Sequence, residues 1–232
     1  MLFTEETVRA NIRSRDGKRV FFLGKGDTLT PGARDFLTRE RIEIRSAEEA
    51  KIDTFQLLGG GYLKEKPEHM THLQGNILVS KAHPRIGFRG AMDTLQAEIL
   101  LCQLVLTGEI RRDLQQILEL ARRIIRCDVL EEPLPGGNLC GLKEQELRSH
   151  SHRPQEFYGQ PHFMPEYGDG EAILRLNRVR CAVREAERLA VAAFCGGEGK
   201  PERADILQAL NRMSSMVYIL MIRVKKERQM IV

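Results

Sequence analysis

Arg180, Arg184 and Arg188 recur every fourth residue through the segment 173–194, ILRLNRVRCAVREAERLAVAAF. On a helix that spacing stacks three guanidinium groups on one face. The same segment carries Ile173, Leu176, Val179, Val183, Ala186, Ala190 and Ala193 at mixed three- and four-residue spacing, the apolar stripe of a packed helix. A guanidinium group keeps its charge, and burying it unpaired is costly, so a packed helix with this column needs an anion. The chemistry on offer is recognition of a polyanionic ligand, or internal pairing with carboxylates such as Glu187. A solvated ladder with local glutamate partners is the plainer alternative.

The segment 201–224, PERADILQALNRMSSMVYILMIRV, supplies a second surface. Pro201 opens it, and Ile206, Leu207, Leu210, Met213, Val217, Leu220, Met221 and Val224 give it a helical apolar period. Within that apolar run, Asn211, Ser214, Ser215 and Tyr218 form a polar stripe, and buried polar groups need partners. Two neighbouring helices, one with arginines and one with amide and hydroxyl groups, build a polar seam suited to phosphates. The same stripe also serves as a structural hydrogen-bond network between helices.

The elements that must hold this seam are helical. Residues 91–106 place Leu95, Ile99, Cys102 and Leu106 on one face and stop at Thr107-Gly108. Residues 110–126 repeat the pattern with Leu114, Ile117, Leu118, Ala121 and Ile125. A short helix is expected around 143–150, followed by an irregular stretch at 152–170 rich in proline, glycine and aromatics, which reads as an ordered functional loop. Four long helices and one shorter one make an antiparallel bundle. The first sixty residues differ: a helix after Thr4, a strand at 19–23, a turn at 25–27, a helix from Pro31 to about Arg39 and a strand at 42–44. Gly59-Gly60-Gly61 reads as a hinge. The expected fold class is therefore all-α, an antiparallel helical bundle of about five helices over 61–232, preceded by a small α/β extension over 1–60.

Composition narrows the function. In 232 residues, a net charge of +4 spread among 29% charged residues, with no run of five like charges, argues against a nucleic-acid partner. No apolar run approaches the roughly 18 residues that span a membrane, and the first residues hold no signal-peptide core, so a cytoplasmic protein is expected. Five cysteines without a CxxC pair suit reduced thiols, and Cys102 and Cys181 read as small core residues within helices. His69 with His72 and His150 with His152 lack the spacing and third ligand of a zinc site.

Three segments together carry a resemblance. HPRIGFRGAMDTLQA (83–97), VRCAVREAERLAV (179–191) and LNRMSSMVYILMIR (210–223) resemble, in order and spacing, the signatures of the PduO-type and EutT-type ATP:corrinoid adenosyltransferases. KPEHMTHL (66–73), CDVLEEPL (127–134), GLKEQELRSHSH (141–152) and LTPGARDFLTRERIEI (29–44) are closer to the EutT branch. The resemblance implies transfer of the 5′-deoxyadenosyl group from ATP to cob(I)alamin, giving adenosylcobalamin and triphosphate. It implies that Arg184 and Arg188 contact phosphates, that Asp93 orients Arg184 through a salt bridge, and that Asn211 binds ATP. Arg180 and Glu187 match structural or nucleotide-side positions. Phe163, in HFMP (162–165), resembles the aromatic loop that displaces the lower base of cob(II)alamin. Lys66, Thr71 and Lys81 fall where PduO-type enzymes have a glycine-rich triphosphate loop and its lysine. KPEHMTHL lacks those glycines, so side chains would replace backbone in holding phosphate.

Other departures follow the EutT branch: Glu185 replaces an arginine and Ser215 an aspartate of the PduO type. Some EutT proteins have a cysteine-rich metal motif upstream of the KP segment; FQLLGGGYLKEKPEH (55–69) has none, so the resemblance implies no resident iron or zinc and only Mg²⁺ accompanying ATP. It further implies a homo-oligomer, a trimer or alternatively a dimer. A B12-dependent ammonia-lyase or dehydratase would consume the product, in the cytoplasm or within a bacterial microcompartment whose proteins are further partners. The rival reading is a non-catalytic carrier or scaffold that keeps the fold and binds ATP or corrinoid.

Overall fold

A computed structural model describes residues 1–15, 17–47, 54–196 and 199–231, without the side chains of 230 and 231. The chain forms two compact units: residues 1–86 with 128–132, and residues 87–127 with 133–232.

The first unit begins with β1 (Leu2–Phe3), α1 (Glu5–Ala10), β2 (Arg13–Arg15), β3 (Lys18–Leu23), β4 (Thr28–Leu29), α2 (Pro31–Arg39) and β5 (Glu43–Ser46). Thr4 caps α1 by accepting from the Thr7 amide, and Thr30 caps α2 from Ala33 with Pro31 in the first turn. β1 pairs with β4, and β3 lies between antiparallel β2 and parallel β5. Val8, Ile12, Phe21, Phe36 and Leu37 close a small core.

After these come β6 (Phe55–Leu57), β7 (Tyr62–Leu63), β8 (Met70–Gln74) and β9 (Ile77–Ser80), a four-stranded sheet in the order β7-β6-β9-β8. This corrects two expectations. The chain does not turn wholly helical after residue 61, so the fold is mostly α, with three small sheets among the described residues. Nor are Gly59, Gly60 and Gly61 a hinge: the Leu57 amide donates to the Gly61 carbonyl at 3.0 Å, closing the β6–β7 turn, with Gly60 and Gly61 in left-handed backbone. Gly75 makes the β8–β9 turn at φ +52°, and a Cβ there would stand 2.0 Å from the Ile12 carbonyl oxygen, so only glycine fits.

Helices fill the second unit: most of α3 (Pro84–Gln103) and α4 (Gly108–Val129), then α5 (Glu144–His152), α6 (Pro154–Tyr158), a 3₁₀ turn at Tyr167–Asp169, α7 (Gly170–Phe194) and α8 (Ala204–Ile231). The apolar periods read in the sequence become one core: Leu95 and Ile99 of α3, Leu114 and Ile117 of α4, Val179 and Val183 of α7, and Met213 and Val217 of α8. Each such side chain withdrawn from water contributes about 1.5 to 3 kcal/mol. Boundaries moved by a few residues. α3 starts at Pro84 and ends at Gln103, while Pro201 lies outside α8, which starts at Ala204. Ion pairs tie the outer faces, Arg223 to Asp113 at 2.6 Å and Arg178 to Glu98 at 3.0 Å.

Candidate active site

A basin of about 980 Å³ opens on the second unit between α7, α8, the end of α5 and the loop 162–165. α7 lends it Arg180, Arg184 and Glu187, and α8 lends Asn211, Ser214, Ser215 and Tyr218. The arginine column and the polar stripe therefore meet across one cavity, as expected of a seam. Phe163 lines it from the loop. Five of the site residues named from sequence, Arg180, Arg184, Glu187, Asn211 and Phe163, are brought together here.

Charge in the basin is one-sided. Arg148, Arg180, Arg184 and Arg212 line it against a single carboxylate, Glu187. Arg212 is taken by Glu144 at 3.3 Å, and Asn211 Nδ2 donates to Glu187 Oε1 at 3.0 Å. Arg180 lays its guanidinium 5.3 Å from the centre of the Tyr218 ring, a cation–π contact that leaves its charge uncompensated. Arg148, Arg180 and Arg184 form no ion pair among the described residues. Three fixed positive charges facing hydroxyl and amide groups make a receptor for a multiply charged anion.

The remaining site residues lie elsewhere. Arg188, one turn beyond Arg184, turns away from the basin and binds Glu185 through two hydrogen bonds of 2.6 and 3.0 Å. Those bonds hold the Glu185 carboxyl below its ordinary value and raise the Arg188 guanidinium above its own. Asp93 is exposed on α3, and no ion pair joins it to Arg184 among the described residues. Lys66, in the loop after β7, Thr71, on β8, and Lys81, just past β9, all belong to the first unit, whereas the basin's lining is drawn wholly from the second.

The loop is held from several sides. Tyr218 Oη lies 3.0 Å from His162 Nδ1 and accepts from the Phe163 amide at 3.2 Å. Lys225 Nζ sits 4.1 Å over the Phe163 ring and pairs with Asp169 at 2.9 Å, and Gln160 donates to Gln229. Sequence reasoning missed Arg148, His162 and Cys181. Cys181 is exposed in the basin rather than buried in the core, because it follows Arg180 on the polar side of α7. His162 adjoins Phe163 in sequence, and that adjacency was the one signal for it.

A smaller cleft of about 300 Å³ lies between α4, the segment 134–139 and the start of α8. Glu144 pairs there with Arg212, and Asp205 with Arg203 at 2.9 Å, while Glu119 and Arg123 add one further charge of each sign. Its charge is mixed where the basin's is one-sided, so the basin is the better receptor for an anion. Among the described residues, no group of three or more His, Cys, Asp or Glu is placed to hold a metal, and no helix is long and apolar enough to cross a membrane.

Residues 61–224 match the family described as cobalamin adenosyltransferase. The chain is 33% identical over 243 residues to the corrinoid adenosyltransferase EutT of Salmonella typhimurium strain LT2, covering 94% of this chain and 90% of that one. It is 32% identical over 242 residues to corrinoid adenosyltransferase EutT of Escherichia coli K12, with the same coverage. A match across the seam-forming helices, with about a third of residues shared along nearly the whole length, means that the chain belongs to the cobalamin adenosyltransferase family.

Proposed function

We propose that the basin receives the triphosphate of ATP on Arg148, Arg180 and Arg184, with Asn211 and Glu187 at its nucleoside end and Phe163 at its corrinoid end. The observation that carries this reading is the set of three arginines without carboxylate partners facing a polar helix stripe. In the reaction of this family, Co(I) gives its electron pair to the ribose 5′ carbon, the Co–C bond forms, and the C5′–O bond breaks to release triphosphate. No protein nucleophile is needed. The chain's task is to hold the 5′ carbon in line with cobalt and to neutralise charge on the departing triphosphate. Mg²⁺ would arrive bound to the nucleotide, with Glu187 as the one basin carboxylate able to approach it.

Asp93 and Arg188 fit a site shared between copies. Asp93 shares the exposed side of α3 with Leu100 and Leu101, and Leu104 follows just past its end; the three leucines are 47%, 45% and 78% exposed. Such an apolar stripe beside a carboxylate suits a second copy, whose Arg184 would meet Asp93 and whose approach would bring Arg188 into play. The product would serve a B12-dependent ammonia-lyase or dehydratase, in the cytoplasm or a bacterial microcompartment where the segment 1–60 would dock.

The test is anaerobic mixing of the purified protein with ATP, Mg²⁺ and chemically reduced cobalamin, following loss of the Co(I) absorption. Conversion to adenosylcobalamin with stoichiometric triphosphate is expected. Binding of ATP or corrinoid without conversion would favour a carrier.

A further inference from the structure

Tyr218 contacts both the Phe163 loop and Arg180, and its hydroxyl makes bonds that its ring alone could not. It stands on α8 two turns after Asn211, half-buried, with its ring near-parallel to His162 at 5.7 Å and 13°. A phenylalanine would satisfy that packing. The hydroxyl adds a directed pair of hydrogen bonds whose sense follows from their partners. His162 Nε2 lies 3.1 Å from the His152 carbonyl, which only accepts, so Nε2 carries a proton. In the neutral ring Nδ1 then accepts, Tyr218 donates to it, and the Phe163 amide donates to Tyr218. Every group in this chain has one partner of the right kind. The ring's other contact is the Arg180 guanidinium, one of the three uncompensated basin charges.

We propose that Tyr218 is a positioning residue for the transfer: its hydroxyl fixes the Phe163 loop at the corrinoid end while its ring orients Arg180 at the phosphate end. This rests on the assignment of the two ends made above. One side chain then sets the distance between the groups that hold the two substrates. Lys225 and Gln229 also hold the loop, through Phe163, Asp169 and Gln160, so losing the Tyr218 hydroxyl loosens it at residues 162 and 163 without freeing it.

The experiment compares Tyr218→Phe, which keeps the ring, with Tyr218→Leu, which does not. Tyr218→Phe should raise KM for cob(I)alamin or lower kcat on the order of tenfold, as expected for two lost hydrogen bonds, while KM for ATP stays within about twofold. Tyr218→Leu should add a rise in KM for ATP through loss of the Arg180 contact. His162→Asn, whose amide oxygen falls near the place of Nδ1, should retain more activity than His162→Leu. Unchanged kinetics in Tyr218→Phe would overturn the proposal. So would equal worsening of both substrates together with a fall in Tm, which marks a merely structural residue. Hydrogen exchange at the Phe163 amide tests the latch without catalysis: faster exchange in Tyr218→Phe supports it, and unchanged exchange removes it. An inactive wild-type protein would count against the transferase reading, and the exchange result would still decide the latch.

Discussion

A shared active site makes a quantitative prediction about mixtures of inactive proteins. Arg184 sits in the middle of α7, exposed and without an ion pair among the described residues, and alanine is the better helix former there, so Arg184→Ala should leave Tm unchanged. Its effect falls on catalysis. A unit charge pair at 4 Å and an effective dielectric of about 20 is worth roughly 4 kcal/mol, and solvent in the open basin removes about half of that. The remaining roughly 2 kcal/mol corresponds to a loss of about thirtyfold in kcat/KM. If Asp93 orients Arg184 as proposed, Asp93→Ala should cost about as much by releasing that guanidinium. If Asp93 and Arg184 come from different copies, assembling the two variants at random in equal amounts rebuilds intact sites. A site is intact only when Asp93 comes from an Arg184→Ala copy and Arg184 from an Asp93→Ala copy, a chance of about one in four in a dimer and in a trimer alike. Co-expressed variants should therefore recover about a quarter of wild-type activity in the anaerobic Co(I) assay. A mixture that gives only the mean of its two parents would show that the pair does not form across copies.

Three further outcomes follow from local geometry. Gly75→Ala forces a Cβ at φ +52° against the Ile12 carbonyl, and should destabilise the first unit by roughly 2 to 3 kcal/mol, read as a lower urea midpoint; an unshifted midpoint would refute the contact. At Asp205 burial acts to raise the carboxyl, but hydrogen bonds from Arg203 and from the Leu134 and Ile206 amides outweigh it and leave the group below its ordinary value. A lowered folded-state value stabilises above the unfolded pKa of about 4, and that contribution is lost as pH falls through the folded value. The difference in unfolding free energy between wild type and Asp205→Asn should thus be full at pH 7, on the order of 1 to 2 kcal/mol, and close below about pH 4; a constant difference down to pH 3 would refute this. Burial pushes the thiols of Cys102 and Cys140 up to about 12, whereas Cys181 is exposed between two basin arginines. Iodoacetamide should label Cys181 first, and ATP should slow that labelling several-fold; equal labelling with and without ATP would place the nucleotide elsewhere.

The bundle was legible because its helices are long and each buries a face: a stripe such as Val179, Val183, Ala186 and Ala190 has enough turns to declare its period. The sheet at 55–80 was not, because its strands run two to five residues and no period of two can establish itself over that length. Its one usable mark was Gly75-Asn76 between two short apolar runs, a turn signal overlooked beside the more conspicuous glycine triplet at 59–61. The latch from His162 to Tyr218 spans 56 residues and depends on how a loop lies against a helix, which no local pattern encodes.

The arginine column shows the limit most clearly. Four residues advance a helix by 400°, so each step in the series 180, 184, 188 leaves the next side chain about 40° further round. Arg180 and Arg184 fall within the arc that faces the polar stripe of α8. Arg188, about 80° from Arg180, is still inside the arc that lines the basin, which reaches Cys181 at about 100°, so rotation does not exclude it; its guanidinium is drawn to Glu185, three residues back on its own helix. Spacing by four names residues that share a face, but which of them reaches a cavity depends on the partner each side chain finds. The arginine that the sequence grouped with the others is therefore the one that this chain alone keeps from the basin. Its charge is held against a glutamate on an exposed surface.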